Sequence, residues 1–307
     1  MENATEKSNK ELKEMKNGFD DAGQGAIKFG DLLKANVLGD FITSGLKSVV
    51  GAVKQVGSAL LSVGKDALDS YANYEQLVGG VETLFKDNAG VVEEYASNAY
   101  KTAGLSANDY METVTSFSAS LLQSLNGDTK KAAEVSNRAV VDMADNANKM
   151  GTDMTSIQNA YQGFAKQNYT MLDNLKLGYG GTKEEMQRLI KDAANMKDVQ
   201  KELGVTVDAN SMSFGNIVNA ISVMQKKMDI AGTTSKEAST TIQGSIASLK
   251  SAWDNLLTGV ADDDADWDNL VSNFFDSIFT AADNVLPRIG TIAFGVMSLI
   301  RDPVTEL

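Results

Sequence analysis

Both prolines of this 307-residue chain, Pro287 and Pro303, fall in its last twenty-one residues. Proline removes a backbone donor and clashes with the preceding turn, so it breaks helix interiors more reliably than any other residue. Everything before Pro287 is therefore free to be helical. The apolar residues follow suit, recurring in alternating steps of three and four that place them on one helix face. Tyr110, Val114, Phe117, Leu121 and Leu125 form one such run, and Met154, Ile157, Tyr161 and Phe164 another. Phe214, Ile217, Ile221, Met224, Met228 and then Ile242, Ile246, Leu249, Trp253, Leu256 repeat the pattern. No convincing period-two strand interrupts it. The expected fold class is all-α, a multi-helix domain of short helices flanked by longer amphipathic or apolar helices, able to extend or bundle.

The punctuation agrees with the periodicity. Thr182 with Glu185, and Thr234 with Glu237, are T-x-x-E capping boxes, each able to satisfy two orphan amides at a helix start. Gly127, Gly151, Gly204, Gly232 and Gly259 sit just past periodic runs, where a left-handed residue commonly closes a helix. Four segments follow: a polar helical N-terminus over 1–37, a glycine-containing amphipathic helix over 38–70, a helical core over 71–260, and an apolar helical segment over 261–307.

Within the second segment Ile42, Leu46, Val49, Val53, Val56, Leu60 and Val63 keep a near-heptad spacing, the pattern of a seam for self-association or for a helical neighbour. Asp40, Lys47 and Lys54 break the roughly twenty-residue apolar length that a membrane span requires. In the last segment Asp276, Asp283 and Arg288 interrupt the apolar stretch, and Pro287 is expected to kink or end a helix. The uninterrupted apolar run from Ile289 to Ile300 is too short to cross a bilayer, which favours a buried or partner-facing helix.

Composition closes most routes to catalysis. The chain has no histidine and no cysteine, hence neither the usual neutral-pH proton carrier, nor the commonest metal ligands, nor a disulfide framework. A net charge of −13 repels phosphate backbones, which argues against specific nucleic-acid binding. The N-terminus lacks the basic and apolar regions of a secretory signal. Ser44 to Lys47 fits S-x-x-K, but the companion motifs of a serine acylase are missing. Asp262, Asp264 and Asp266 have calcium-loop spacing, yet Trp267 stands where the loop needs glycine and Asn273 where it needs a bidentate glutamate. Neither phosphate-binding glycine motif occurs. A muramidase would need two carboxylates held across a cleft, and no such pair stands out. No catalytic residue, metal site or cofactor is expected, and the chain reads as a non-enzyme.

The densest local signal is the stretch NAYQGFAKQNYTMLDNLKLGYGG, Asn159 to Gly181, with three tyrosines and four glycines. Tyr161, Phe164, Tyr169, Leu172, Leu175 and Leu177 can bury one cluster, while Gly178, Gly180 and Gly181 give a sharp turn before Thr182. Asn168 and Asn174 are expected to bond turn backbone through their side chains.

The longer segment MGTDMTSIQNAYQGFAKQNYTMLDNLKLGYGGTKEEMQRL, Met150 to Leu189, closely resembles the core region of phage tail tape measure proteins. YEQLVGGVETLF (Tyr74–Phe85), AYKTAGLSANDYMETVTSFSASLLQSL (Ala99–Leu125) and the stretch from Ser245 to Ile289 are similar to the flanking parts of that family. The likeness thus covers roughly Tyr74 to Ile289. It implies a structural protein of the virion that lies in the tail-tube lumen, sets tail length during assembly in the host cytoplasm, and leaves at genome delivery. Its implied partners are further copies of itself in a bundle, the tail tube protein, tail assembly chaperones, and tail tip or baseplate proteins, with transient host-membrane contact. It implies no catalytic residues; Tyr161, Phe164, Asn168, Tyr169, Leu172, Asn174, Leu175, Gly178, Tyr179, Gly180 and Gly181 would build the core motif. As one continuous helix the chain would reach about 460 Å at 1.5 Å per residue, which is short for the family, so an N-terminal portion or a truncated member is expected. The alternative from another class is a membrane-active helical protein inserting through 38–63 and 270–300.

Overall fold

The computed structural model describes residues 56–301 with the exception of Asp263. The described chain is all-α and contains no strand. Its helices are α1 (Val56–Phe85), α2 (Ala89–Thr102), α3 (Ala107–Ser124), α4 (Thr129–Met150), α5 (Met154–Ala165), α6 (Lys183–Asn195), α7 (Lys197–Leu203), α8 (Phe214–Lys227), α9 (Thr233–Thr240), α10 (Ile242–Val260) and α11 (Trp267–Arg301). One-turn 3-10 helices at Lys86–Asn88 and Leu172–Leu175 bridge α1 to α2 and interrupt the long α5–α6 connection. Much of the seam expected for self-association, Ile42, Leu46, Val49 and Val53, lies outside the described residues; Val56, Leu60 and Val63 belong to the opening turns of α1. Ser44 and Lys47 also lie outside them.

Ala72–Ser239 form one compact unit. Helices start where a short polar side chain can accept an orphan amide. Ser106 accepts from Asp109 N (3.2 Å), Asp128 from Lys131 N (3.0 Å), and Asp153 from Ser156 N (2.9 Å). The apolar faces read from the sequence then turn inward. Tyr110, Val114, Phe117 and Leu121 of α3, Ile157, Tyr161 and Phe164 of α5, and Phe214, Ile217, Ile221 and Met224 of α8 share one core with α4 and α6. Phe117 meets Phe214 edge to face at 5.9 Å, and the Tyr110 hydroxyl, carried into that core, donates to Asn137 Oδ1 of α4 (3.0 Å). The α6–α7 junction is tied by buried Gln200, whose amide donates to the carbonyls of Ala193 (2.8 Å) and Ala194 (3.0 Å) and accepts from Val207 N (3.0 Å).

Among the described residues, the second unit groups 56–71 with 240–301. Thr241 caps α10 by accepting from Gly244 N (3.0 Å), and Asp266 caps α11 by accepting from Asn269 N (3.1 Å). The last aspartate of the calcium-like spacing is thus a helix cap, and Asp262 accepts from Asp264 N within the same loop. Trp253 and Phe274 pack at 5.3 Å between the two helices.

Two expectations are overturned here. Gly259 closes no helix in a left-handed turn: α10 continues to Val260, and a Cβ at Gly259 would overlap the Leu270 side chain, so the missing side chain lets α11 approach. The apolar run on α10 is not its buried face. Ile242 and Ile246 are exposed, while Ser245, Ser248, Ser251 and Asn255 are buried, because small side chains let helices pack closely and Leu256 alone of the run is fully enclosed. Of the kink or end expected at Pro287, the end does not occur: α11 runs on to Arg301. No helix among the described residues is long and apolar enough to cross a membrane.

Candidate functional site

The tyrosine-rich stretch folds as α5, a loop, the 3-10 turn and a second turn that delivers the chain to α6. Tyr161, Phe164, Tyr169, Leu172, Leu175, Leu177 and Tyr179 all join the core of the compact unit. Tyr161 packs on Phe164 (5.8 Å between ring centres), which in turn stacks with Tyr169 (6.4 Å). The loop is thus anchored by its rings and leucines, while its polar residues face out.

Of the two asparagines expected to bond turn backbone, Asn168 does so: its Oδ1 accepts from Thr170 N (3.1 Å) and Thr170 Oγ1 (2.8 Å). Asn174 acts through its main chain instead, its carbonyl accepting from Thr152 Oγ1 (3.2 Å). Gly178 takes a left-handed conformation at φ +84°, the reason a glycine stands there. Gly181 is required by space, since a Cβ on it would overlap the Thr170 carbonyl.

The turn is then fastened to α6. Thr182 accepts from Glu185 N (3.2 Å), the first half of the predicted capping box. The returning carboxylate passes over Thr182 N, whose hydrogen goes to the Gly180 carbonyl, and accepts from Gly180 N instead (3.1 Å). Arg188 closes the arrangement by bonding Glu185 (2.5 Å) and the Gly178 carbonyl (2.9 Å) and by lying over the Tyr179 ring at 4.3 Å. The Arg188 bond, helped by the Gly180 amide, holds the Glu185 carboxyl down at about 2. Tyr179 donates to Asp192 Oδ2 (2.7 Å), and burial together with that bond pushes its phenol well above the usual range.

Beneath the loop lies a polar cluster that the sequence reading missed. Helix α4 turns Asp142, Asp145 and Asn146 inward, all buried. Asp142 is hydrogen-bonded to Ser222 of α8. Asp145 accepts from Gly232 N (2.6 Å) and Thr234 N (2.7 Å), so it caps α9 from eighty-nine residues away in sequence. The expected capping box of Thr234 and Glu237 does not form, because Thr234 is already inside α9, where its hydroxyl accepts from Asn148 (2.8 Å). Asn146 donates to the Leu175 carbonyl (2.9 Å). One face of α4 thereby holds the tyrosine-rich loop, α8 and the start of α9. The spacing of Asp142, Asp145 and Asn146, continuing the Val135 and Ala139 stripe by threes and fours, was the signal available in the sequence.

Burial raises Asp142 to about 7, with the neighbouring Asp145 charge adding to the effect and Ser222 and Arg138 opposing it. Asp145 is raised too, also by burial, against the pull of the Thr234 and Gly232 amides. The Tyr161 hydroxyl, Asn146 Oδ1 and both polar atoms of the Gln225 amide are buried with no hydrogen-bond partner among the described residues.

An open polar groove of about 450 Å³ borders the loop, lined by Asn159, Gln162, Lys166, Asn168, Thr170 and Met171. Its lining holds no carboxylate. Among the described residues no three acidic side chains gather as a metal site. No family model, curated protein or solved structure matches this chain. What the arrangement supplies is a firmly anchored structural loop, with its rings and leucines inside and its amides outside.

Proposed function

We propose that the chain is a structural phage tail tape measure protein, or the N-terminal portion of one. In that role it occupies the tail-tube lumen, takes part in setting tail length during assembly, and is released at genome delivery. The observation that carries the reading is the likeness of Met150 to Leu189 to the core region of that family, extended on both sides from Tyr74 to Ile289. The residues that carry the likeness are the same ones whose rings and leucines anchor the loop, a structural use consistent with a non-enzymatic role. A proline-poor, cysteine-free helical chain also suits passage through a narrow tube, since no covalent cross-link opposes its extension. Its partners in this reading are other copies of itself, the tail tube protein, tail assembly chaperones, and tail tip or baseplate proteins.

The test is composition of purified tails. Mass spectrometry of intact particles should find peptides from this chain, and particles that have ejected their genome should have lost them. Tails assembled normally without the chain would overturn the proposal.

A further inference from the structure

Helices α4 and α8 run parallel where they meet: Arg138 bonds Asn219 (2.8 Å), and Asp142 bonds Ser222 one turn further along both. Asp142 is the ionisable group in the middle of this seam, 5% exposed as a residue.

The hydrogen count at Ser222 is informative. Its hydroxyl oxygen lies in bonding range of two acceptors, the Val218 carbonyl (3.0 Å) and Asp142 Oδ2. A serine hydroxyl has one hydrogen to give and a carbonyl has none. With Asp142 ionised, Ser222 gives its hydrogen to the carboxylate and the Val218 contact goes unfilled; with Asp142 protonated, the acid can donate to Ser222 while Ser222 donates to Val218, and both contacts are filled. The remaining surroundings suit the neutral acid. From α4 the facing charges are Arg138, whose Nη1 bonds Asn219 and whose charge attracts Asp142 without an ion pair forming, and Asp145, a like charge; from α8 the neighbour is Ser222; from α5 it is the Tyr161 hydroxyl. An ionised carboxylate there would be desolvated with no full counter-charge bonded to it, a costly state.

We propose that Asp142 is a proton-sensitive latch: as the neutral acid it closes the α4–α8 seam, and release of its proton to solvent loosens that seam. Because the folded protein holds this proton more tightly than the unfolded chain, its stabilisation is complete below about pH 4, the unfolded value. It is lost progressively as pH rises to about 7, and stability is level beyond.

The experiment compares the full chain with D142N, whose amide can donate to Ser222 at every pH. The parent should melt roughly 5–10 °C lower at pH 8 than at pH 5, and D142N should lose most of that difference. Amides of α8 in the parent should also lose protection over this interval beyond the base-catalysed acceleration of exchange. Equal slopes for parent and variant, or α8 protection unchanged, would overturn the latch. Should D142N not fold, carbon-13 NMR of the Asp142 carboxyl in the parent decides: a midpoint near neutrality supports the latch, and one in the ordinary range near 4 overturns it.

Discussion

The side-chain amide of Asn146 donates to the main-chain carbonyl of Leu175 at 2.9 Å, joining the C-terminal part of α4 to a loop twenty-nine residues later. Both residues are fully buried. The bond satisfies the carbonyl of Leu175, the last residue of the 3-10 turn, which has no further helical turn to supply a donor. Asn146→Leu should therefore cost about 1–3 kcal/mol, the penalty of an orphaned buried acceptor. Urea titration of both proteins measures it, and a difference within error would show that the loop is held by its rings alone.

Gly181 and Gly178 stand in the same turn for different reasons, so alanine should separate them. At Gly178 the added methyl meets open space and only the left-handed backbone resists, costing about 1 kcal/mol. At Gly181 the methyl meets the Thr170 backbone, which cannot rotate away as a side chain could. The Gly181→Ala protein should be the less stable of the two in thermal melts.

Asp145 replaces a local cap on α9. Asp145→Ala removes the acceptor for Gly232 N and Thr234 N together and should destabilise the compact unit by about 1–2 kcal/mol. Hydrogen exchange should rise selectively over residues 232–240. Uniform change across the unit would point instead to general loosening of α4.

Glu185 titrates in the opposite sense from Asp142. Its folded value, held to about 2 by Arg188 and the Gly180 amide, lies below the ordinary one, so its contribution is present above about pH 4.3 and fades as pH falls through 2. Glu185→Gln should lower the melting temperature at pH 7, and the gap should close in strong acid. A gap independent of pH would mean that the side chain acts through packing and not through its charge.

How far these features were legible in the sequence depends on the physics behind each. The all-α class follows from proline placement and from faces such as Tyr110–Leu121, where burial and periodicity coincide. The aromatic and leucine anchors of the loop were readable for the same reason. Where periodicity and burial part company the reading failed. On α10 the apolar stripe lies partly outward and serines lie inward, because close helix approach favours small residues over apolar ones. Left-handed positions were found where glycine marks them, at 127, 151, 204 and 232, but Asn126, Gln167 and Lys176 adopt the same conformation without that marker. Asp145 capping α9, and Asn146 holding Leu175, are long-range pairings that only the packed core brings together.

The central claim is the tail role, and tail length is its most direct readout. We would delete the coding region in the genome that carries it and measure tails by electron microscopy. The account predicts absent tails or tubes of irregular length. A population of tails with unchanged, uniform length would contradict it.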